Sequence, residues 1–379
     1  MRYPLTEEQL LIQQSAREFA ERYVEPEAIR VDREAAFPAD IIKKLAEHDF
    51  FGLVFPAEYG GIGAGFLSYV LALQEISRAS ASVGAILISH CALAAYSIYR
   101  WGSGEQKERY LPAMCRGDIL GAFALYEPGA APGWGEQKVV AIPKEGGYVL
   151  RGRKYFVGNG GRAGIYVVFA LTGPEAGPQE MSAFVVEAGA RGLSIGRDID
   201  KMGLRGWPTT ELVFHDVEVP ASSLLGAQGN GLAVLKEALA AARISAAAQI
   251  AGIVEAAFQQ SVKYAKERMQ FGRPIARFPA IQNMIAEMAA NLQLARLAVY
   301  STADLVDKGE PFEAEAAMVH MLAARIGQKS CTDAVQIHGG YGYSRDLAVE
   351  RLLRDVKGAI ITDSAGEYPE FTVAESILA

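Results

Sequence analysis

The chain has few cysteines, no block of basic residues and no long apolar run. Its three cysteines among 379 residues are too few and too scattered for a disulfide framework or a metal site built from cysteine pairs, which is typical of a reducing compartment. The net charge of -7 without a Lys/Arg cluster argues against nucleic acid as a ligand, because phosphates need a concentrated basic surface. Since no run of 18 apolar residues occurs and a charged segment follows the first residues, we expect no membrane span, no signal peptide and a cytoplasmic location.

The composition predicts a large core and a helical first lobe. With 50% hydrophobic residues, a chain of this length is expected to form two or three lobes. Residues 1–120 are predicted to be helical. Thr6 and Gln9 have the spacing of a capping box, in which the two side chains satisfy free amides at the start of a helix. The glycine-rich stretch 58–65 is predicted to be a connecting loop, since no strand signal precedes it as a nucleotide fingerprint would require.

A β domain is predicted over residues 121–226. Seven of the 16 prolines lie between residues 121 and 220, among short runs rich in β-branched and aromatic residues such as 166–169 and 211–219. Helices are predicted again over residues 227–379. Apolar stripes recur every three or four positions on two of them, Ile250, Val254, Phe258 and Val262 on the first and Ile281, Ile285, Met288 and Leu292 on the second. A third proline-free stretch, 312–368, is predicted to be the third long amphipathic helix, and the three helices are expected to pack into a bundle.

Five sequence motifs occur in order along the chain. They are Tyr126–Ala130, Met202–Gly206 with Pro208–Leu212, Glu267–Ile275, Ala334–Tyr343, and Val349–Asp355 with Lys357. Together they resemble the signatures of the acyl-CoA dehydrogenases over nearly the whole chain. The resemblance implies a mostly α fold with an N-terminal helical domain, a β-barrel-like middle domain and a C-terminal four-helix bundle. It also implies a homotetramer in which FAD lies between the β domain and the bundle and reaches into a neighbouring subunit.

The resemblance places the catalytic base at Asp363. In the family a glutamate follows the motif's lysine by six residues, and here the sixth residue after Lys357 is an aspartate, one methylene shorter. Removing a proton beside a thioester carbonyl requires a carboxylate base and donors to the carbonyl oxygen, which the family takes from a backbone amide and the flavin's ribityl chain. Some relatives carry the base directly before an arginine that resembles Arg243, but Ala242 stands there. An exposed aspartate could otherwise be a turn or cap residue.

The resemblance also implies the cofactor and substrate contacts. A guanidinium and close backbone amides suit a diphosphate. The residues implied at FAD are Leu125, Tyr126, Phe156, Gly158, Arg268, Phe271, Gln336, Gly339, Gly340, Ala365 and Glu367. Those implied at the substrate are Cys91, Pro132 and Arg243. Cys91 and His90 lie in a segment that approaches the acyl chain in this fold, although a buried cysteine usually acts as a small apolar residue and a lone histidine is usually structural.

Several positions depart from the family pattern around the flavin ring. Tyr126 stands in place of a threonine, Pro132 in place of a serine, and Gly158 in place of the residue whose hydroxyl reaches flavin N5. Since hydrogen bonding at N5 tunes the ring that receives hydride, we expect an altered flavin potential or electron acceptor. Arg243, expected at the CoA end, lacks its usual aspartate three residues earlier, where Ala240 stands.

The sequence therefore predicts FAD-dependent α,β-dehydrogenation of an acyl-CoA thioester, with Asp363 as base and an electron-transfer flavoprotein as acceptor. The short base and the substitutions at the ring suggest a cyclic, branched or unsaturated acyl group. Three alternatives stay open. The same groups could run as an enoyl-CoA reductase. A nitroalkane-type flavin oxidase also has an aspartate base but adds an arginine seven residues later, where Glu370 stands. A non-catalytic subunit would not explain the retained Arg268, Phe271, Gln336 and Gly340.

Overall fold

Helices form the first third of the chain. The computed structural model describes residues 3–127, 138–172, 180–362 and 369–378. The predicted capping box is confirmed: the Thr6 hydroxyl accepts from the Gln9 amide at 3.2 Å, and the Gln9 side chain accepts from the Thr6 amide at 2.9 Å. The helices are α1 Glu7–Phe19, α2 Ala28–Glu34, α3 Ala39–Glu47, α4 Gly65–Ala79, α5 Ala81–Leu87, α6 Tyr96–Trp101 and α7 Gly104–Cys115. A π-helical segment, Ile88–Ala95, joins α5 to α6.

A mixed sheet follows, as the β-branched runs predict. Its strands are β1 Gly121–Ala124, β2 Val140–Lys144, β3 Gly147–Gly158, β4 Ile165–Leu171, β5 Met181–Glu187, β6 Leu193–Asp198, β7 Thr209–Pro220 and β8 Leu224–Leu225. Among the described residues the order is β6-β7-β3-β2-β4-β5-β8, and β1 pairs with β4 in parallel. The first strand therefore ends beside the end of β3, and both lead into the site described below. A short hairpin, β9 Met269–Gln270 and β10 Arg273–Pro274, stands apart from this sheet.

The last third is a helical bundle. Its helices are α8 Gly231–Glu267, α9 Pro279–Lys308, α10 Glu313–His338, α11 Val349–Thr362 and α12 Pro369–Leu378. The predicted stripes face the core: Ile250 and Val254 are fully buried, as is Met288. The third predicted stretch is wrong as a single helix. It breaks at Gly339, whose φ of 59° and ψ of -137° lie outside the helical region that residues with a side chain adopt.

Within the part of the chain that the structure describes, two helical stretches are long and apolar enough to cross a membrane by length and composition. They are Ala81–Trp101 and Gly231–Glu267. In each of them, 94% of the apolar 18-residue segment is buried inside the protein. Most of their buried apolar residues belong to the core that joins the N-terminal helices to the bundle. A second apolar cluster lies between the N-terminal helices, α8 and one face of the sheet, and a third covers the other face of the sheet. The three lobes thus meet around α8 and the ends of β1 and β3.

Candidate functional site

An apolar cavity lies where the three lobes meet. This inner cavity is lined by Ala85, Ile88, Ser89, Leu93, Phe123, Leu125, Tyr126, Phe156, Gly158, Trp207, Leu239 and Gln249. Its volume is about 50 Å³. The lining comes from the end of α5, the π-helical segment, β1, the end of β3 and α8, so each lobe contributes part of the wall. Its apolar walls suit a hydrocarbon group.

A larger cleft adjoins the inner cavity. This outer cleft, of about 990 Å³, lies between the sheet and α11, and its lining includes Tyr155, Met202, Leu204, Gly358 and Ile361. The two spaces share three residues, Tyr126, Phe156 and Trp207. These aromatic side chains therefore form the boundary between a wide cleft and a small apolar cavity.

The Phe156 ring faces the cleft because β3 is irregular at this point. The pairing of β3 with β7 shifts register between Lys154 and Val157, and Phe156 has a φ of 53°, which is unusual for a residue with a side chain. The bulge turns the ring outward, so that Phe156 is 50% exposed. The Tyr155 amide donates to the Tyr126 carbonyl at 2.8 Å, which joins the end of β1 to this bulge. A flat apolar ring is thereby presented to the cleft.

A buried ion pair fixes the end of β1. The Lys154 ammonium lies 2.6 Å from Oε1 of Glu127 and donates to the Leu125 carbonyl at 3.0 Å, and the lysine is fully buried. Burial lowers the pKa of Lys154 to about 8, and the Glu127 carboxylate opposes that shift. Glu127 also accepts from the Lys138 and Val139 amides. The segment that carries Leu125 and Tyr126 is thus held from two sides.

The structure changes the interpretation of Gly158. A Cβ placed on Gly158 would lie 2.0 Å from Cζ2 of Trp207 and 2.9 Å from Oγ of Ser89. The indole of Trp207 therefore occupies the space that a larger residue at position 158 would need. Sequence reasoning missed Trp207, although its signal was available: it interrupts the motif between Gly206 and Pro208. Asn159 holds this strand end by donating to the carbonyls of Ile86 and Gly121, both at 3.1 Å.

The loop that carries Trp207 is attached to α11. The Leu204 amide donates to the Asp355 carboxylate at 2.7 Å, inside the protein. Burial raises the pKa of Asp355 to about 6, against the lowering effects of Arg351 and this amide. On the same helix, Arg354 forms a bidentate pair with Asp32 at 2.7 and 2.9 Å. One wall of the outer cleft is therefore fixed to the helix that leads to Asp363.

Cys91 does not line the inner cavity, and its predicted contact with the substrate stays a prediction. Its thiol contacts the Phe51 carbonyl at 3.8 Å, and burial raises its pKa well above the usual value. Ser89, two residues earlier, lines the cavity instead. The segment is π-helical, and hydrogen bonds five residues apart rotate its faces away from the ordinary helical pattern.

His90 has a structural position. Its Nδ1 accepts from the Gly121 amide at 2.9 Å, so the neutral ring carries its proton on Nε2, which contacts the Met114 carbonyl at 3.1 Å. Burial lowers the pKa of His90 to about 4. The ring ties the start of β1 to the end of α7 and takes no part in the cavity lining.

We expect His90 to affect acid stability without shaping the pH profile of catalysis. The folded-state pKa of His90 is depressed from 6.5 to about 4. The contribution of the neutral ring to the free energy of unfolding is therefore fully present above pH 6.5. It is lost as the pH falls to 4, by about 3 kcal/mol in all. His90→Gln should flatten the fall of the free energy of unfolding between pH 6.5 and 4. His48→Gln, at an exposed histidine, is the matched control. Loss of an ionisation from the flavin-reduction profile in His90→Gln, relative to the parent enzyme, would contradict this assignment.

Arg243 lies inside the bundle. Only 2% of it is exposed, and its guanidinium contacts the Thr372 hydroxyl on α12 at 3.4 Å. It lines neither the inner cavity nor the outer cleft. Its predicted contact with the CoA end stays a prediction. Asp363, Ala365, Glu367 and Pro132 lie outside the described residues, but α11 ends at Thr362 and its residues Gly358 and Ile361 line the outer cleft. Asp363 therefore follows directly on a helix that forms the cleft wall.

A separate pocket on the surface brings together several of the other predicted cofactor residues. Arg268, Gly339, Gly340 and Tyr341 line it, and its volume is about 510 Å³. A Cβ on either glycine would meet no atom within 4 Å, so the backbone of this turn is open to a ligand. The Arg268 guanidinium lies 5.7 Å from the centre of the Tyr341 ring. A half-buried arginine beside an open glycine turn suits a diphosphate.

The remaining predicted residues of this region lie at its margin. Gln336 is exposed in the last turn of α10, and its carbonyl accepts from the Gly339 amide. Phe271 is 91% exposed, beyond the β9 hairpin residue Gln270. Such an exposed aromatic ring is typical of a surface that meets a ligand or another chain. Among the described residues, no group of three or more His, Cys, Asp or Glu side chains could hold a metal ion.

The aromatic cleft and the open diphosphate-like pocket both fit FAD. Phe156 offers a flat face for a ring system, and Arg268 with the glycine turn offers donors for a charged linker. Asp346 also lines the surface pocket, so the pocket carries both signs of charge. The two places share no lining residue.

Comparison with known proteins covers almost the whole chain. The chain is 43% identical over 374 residues to an acyl-CoA dehydrogenase of Bacillus subtilis (strain 168), covering 99% of both chains. It is 44% identical over 380 residues to an NADH-dependent acryloyl-CoA reductase of Anaerotignum propionicum, covering 100% of this chain and 96% of the relative. A solved structure from work on the electron-transferring flavoprotein of Acidaminococcus fermentans covers 100% of both chains with a TM-score of 0.97 and 40% identity.

Family models match all three lobes of the chain and confirm the predicted fold class. The models of the N-terminal, middle and C-terminal domains of acyl-CoA dehydrogenase match residues 6–118, 122–217 and 229–378. The helical, β and helical lobes follow one another in that order. Proteins of this family use FAD, in agreement with the predicted cofactor. The chain therefore belongs to the acyl-CoA dehydrogenase family.

Proposed function

We propose that this enzyme carries out the α,β-dehydrogenation of an acyl-CoA thioester, with Asp363 as the general base. The supporting observation is the junction of the apolar inner cavity with the aromatic outer cleft, beside the helix that ends one residue before Asp363. An acyl chain in the inner cavity would have its reacting carbons near Phe156 and Trp207. Family membership makes the coarser statement secure: the enzyme is an oxidoreductase of CoA thioesters.

Different residues of the chain remove the proton and position the substrate and the flavin. Asp363 accepts the proton from the carbon next to the thioester carbonyl, while the electrons of that C–H bond form the new double bond. FAD, held against Phe156, would supply the acceptor for the hydride that leaves the neighbouring carbon with its electron pair. The inner cavity orients the acyl chain, and the Phe156 ring supports the flavin from the β domain. The apolar lining also excludes water, which strengthens the electrostatic interactions that stabilise an enolate-like transition state.

An electron-transfer flavoprotein is the proposed acceptor of the two electrons. One relative, 36% identical, is a subunit of a caffeyl-CoA reductase–electron-transfer flavoprotein complex of Acetobacterium woodii. The structure with a TM-score of 0.97 also comes from work on such a flavoprotein. The homotetrameric assembly and the cytoplasmic location stay predictions. So does a branched, cyclic or unsaturated acyl group, which rests on the short base and on the substitutions at the ring.

The reductase direction is the second candidate. It is favoured by two relatives, the acryloyl-CoA reductase at 44% identity and a 3-(aryl)acrylate reductase of Clostridium sporogenes at 42%. The same groups serve both directions, because Asp363 would return a proton to the carbon from which it removes one. The direction is then decided by the flavin potential and by the electron partner, not by a different set of residues.

Anaerobic mixing of the FAD-loaded enzyme with acyl-CoA esters tests both directions. Bleaching of the flavin absorbance by straight, branched or alicyclic esters would support the dehydrogenase and identify its substrate class. Reoxidation of chemically reduced enzyme by the matching enoyl-CoA, without bleaching by the saturated ester, would favour the reductase. Failure of both half-reactions with flavin still bound would overturn the proposed function and favour an oxidase or a non-catalytic subunit.

Arg268 provides a separate test of cofactor binding. We expect Arg268→Ala to weaken FAD binding at least about tenfold, because a charge-assisted contact to the diphosphate would be lost from an otherwise unchanged pocket. Titration of apoprotein with FAD, followed by flavin fluorescence, measures the change. Arg277→Ala removes the same charge from an exposed site outside the pocket and should bind FAD as the parent does. Equal affinities in both variants would show that Arg268 makes no such contact.

A further inference from the structure

Trp207 lies at the boundary between the inner cavity and the outer cleft. It lines both spaces, and only 8% of it is exposed. Its indole passes so close to Gly158 that a Cβ there would lie 2.0 Å from Cζ2. The glycine and the tryptophan therefore form a matched pair, since position 158 cannot become larger unless position 207 becomes smaller.

Both the backbone and the side chain of Trp207 are fixed. Its amide donates to the Leu204 carbonyl at 3.0 Å, and its carbonyl accepts from the Lys201 ammonium at 2.7 Å. The indole Nε1–H donates to the Ser89 hydroxyl at 3.1 Å, and that hydroxyl donates to the Ala85 carbonyl at 3.0 Å. A ring held at both ends cannot swing out of the cavity without breaking a buried hydrogen bond.

The space left beside this ring is small. The inner cavity measures about 50 Å³, against about 990 Å³ for the outer cleft. Its other walls, such as Leu125 and Leu239, are buried in a continuous apolar cluster and offer little room for expansion. Trp207 is the largest side chain in the lining, and it stands where the cavity opens to the cleft.

We propose that Trp207 is a specificity-determining residue that restricts the substrate to short, compact acyl groups. This inference rests on the proposed function, because it assigns the acyl chain to the inner cavity. The indole fills part of the volume that a long chain would need, and the Ser89 hydroxyl keeps it there. Truncation of the ring should therefore admit longer chains.

The test compares butyryl-CoA with octanoyl-CoA in the FAD-loaded enzyme. Each buried methylene strengthens binding about fourfold where space exists, so Trp207→Ala should raise the ratio of kcat/KM for octanoyl-CoA over butyryl-CoA by at least about tenfold. Trp207→Phe retains most of the ring and should change the ratio much less. Trp101→Ala is the matched control, because Trp101 bonds to Glu237 and lines neither space. An unchanged ratio in a folded, FAD-loaded Trp207→Ala enzyme would overturn the proposal.

The matched pair gives a readout that does not need turnover. Gly158→Ala alone should lower the Tm and the FAD content of the enzyme, because the new methyl group meets the indole. In combination with Trp207→Ala, the same substitution should cost little. Equal losses in both backgrounds would contradict the packing on which the proposal depends.

Ligand binding separates failure of this inference from failure of the proposed function. The dissociation constants of octenoyl-CoA and crotonyl-CoA can be measured from the shift they cause in the flavin spectrum. Tighter octenoyl-CoA binding by Trp207→Ala, without flavin reduction by any saturated ester, would support the role of Trp207 and reject the dehydrogenase. Normal flavin reduction in that variant with no gain in long-chain binding would reject the role of Trp207 alone.

Discussion

Asp363→Asn is expected to slow flavin reduction by an acyl-CoA ester by about 10³-fold while FAD stays bound. A positioned general base contributes about 10² to 10⁴ in rate, and asparagine has nearly the same shape but cannot accept the proton. No substitute stands at the position that some relatives use, because Ala242 precedes Arg243. His90 is held neutral with both nitrogens engaged, so it cannot take over the reaction.

Stopped-flow mixing of the oxidised enzyme with saturating ester under anaerobic conditions measures this step in a single turnover. Enoyl-CoA binding should change little in Asp363→Asn, which separates a lost base from a lost site. Asp40→Asn, at an exposed position on α3, is the control for removal of a carboxylate. Asp363→Glu restores the family's usual reach and should retain far more activity than the asparagine variant. Full activity in Asp363→Asn would mean that another group takes the proton.

The order of the three lobes could be predicted because it depends on local patterns. Proline content, β-branched runs and the Thr6 capping box each act within a few residues of the chain, and the structure agrees with them. The break at Gly339 was missed for the opposite reason. Proline-free sequence permits a continuous helix but does not require one, and the glycine adopts a conformation that ends it.

The candidate site was harder to predict, because it depends on which side chains fill a shared volume. Gly158 was interpreted as the loss of a hydroxyl, whereas the structure gives its space to Trp207, 49 residues later in the chain. The spacing of motifs along the sequence does not show that a residue at one strand end fills the space beside a glycine at another. The family resemblance drew attention to Cys91, whereas the structure places Ser89 of the same π-helical segment in the lining of the inner cavity.

The Lys154–Glu127 pair is expected to give the largest stability effect. We expect Glu127→Gln to lower the free energy of unfolding by about 3 to 5 kcal/mol, because it leaves a fully buried ammonium without its carboxylate. Thermal unfolding of the apoprotein and of the FAD-loaded protein measures the change. Asp118→Asn breaks an exposed ion pair with Arg116 and should cost less than about 1 kcal/mol. A similar small loss in Glu127→Gln would show that the buried pair contributes little.

The loss of stability in Glu127→Gln should depend on pH. Burial depresses the folded-state pKa of Lys154 to about 8, below its unfolded value, so this group favours folding more as the pH rises from 8 to 10.5. Loss of the Glu127 carboxylate depresses that pKa further, and the amine then becomes neutral in the folded protein at lower pH. The deficit of Glu127→Gln should therefore be largest near neutral pH and shrink toward pH 10.

The same pair should also affect the flavin. Lys154 precedes the bulge at Phe156, and Glu127 follows Tyr126, so the ion pair joins the two segments that form the boundary between the cavity and the cleft. Lys154→Met combined with Glu127→Leu replaces the charges by apolar groups and should recover much of the lost stability. FAD content should be lower in this double variant than in the parent, because the apolar pair no longer donates to the Leu125 carbonyl or accepts from the Val139 amide. Recovery of both properties would mean that packing alone, without these hydrogen bonds, shapes the flavin side of the site.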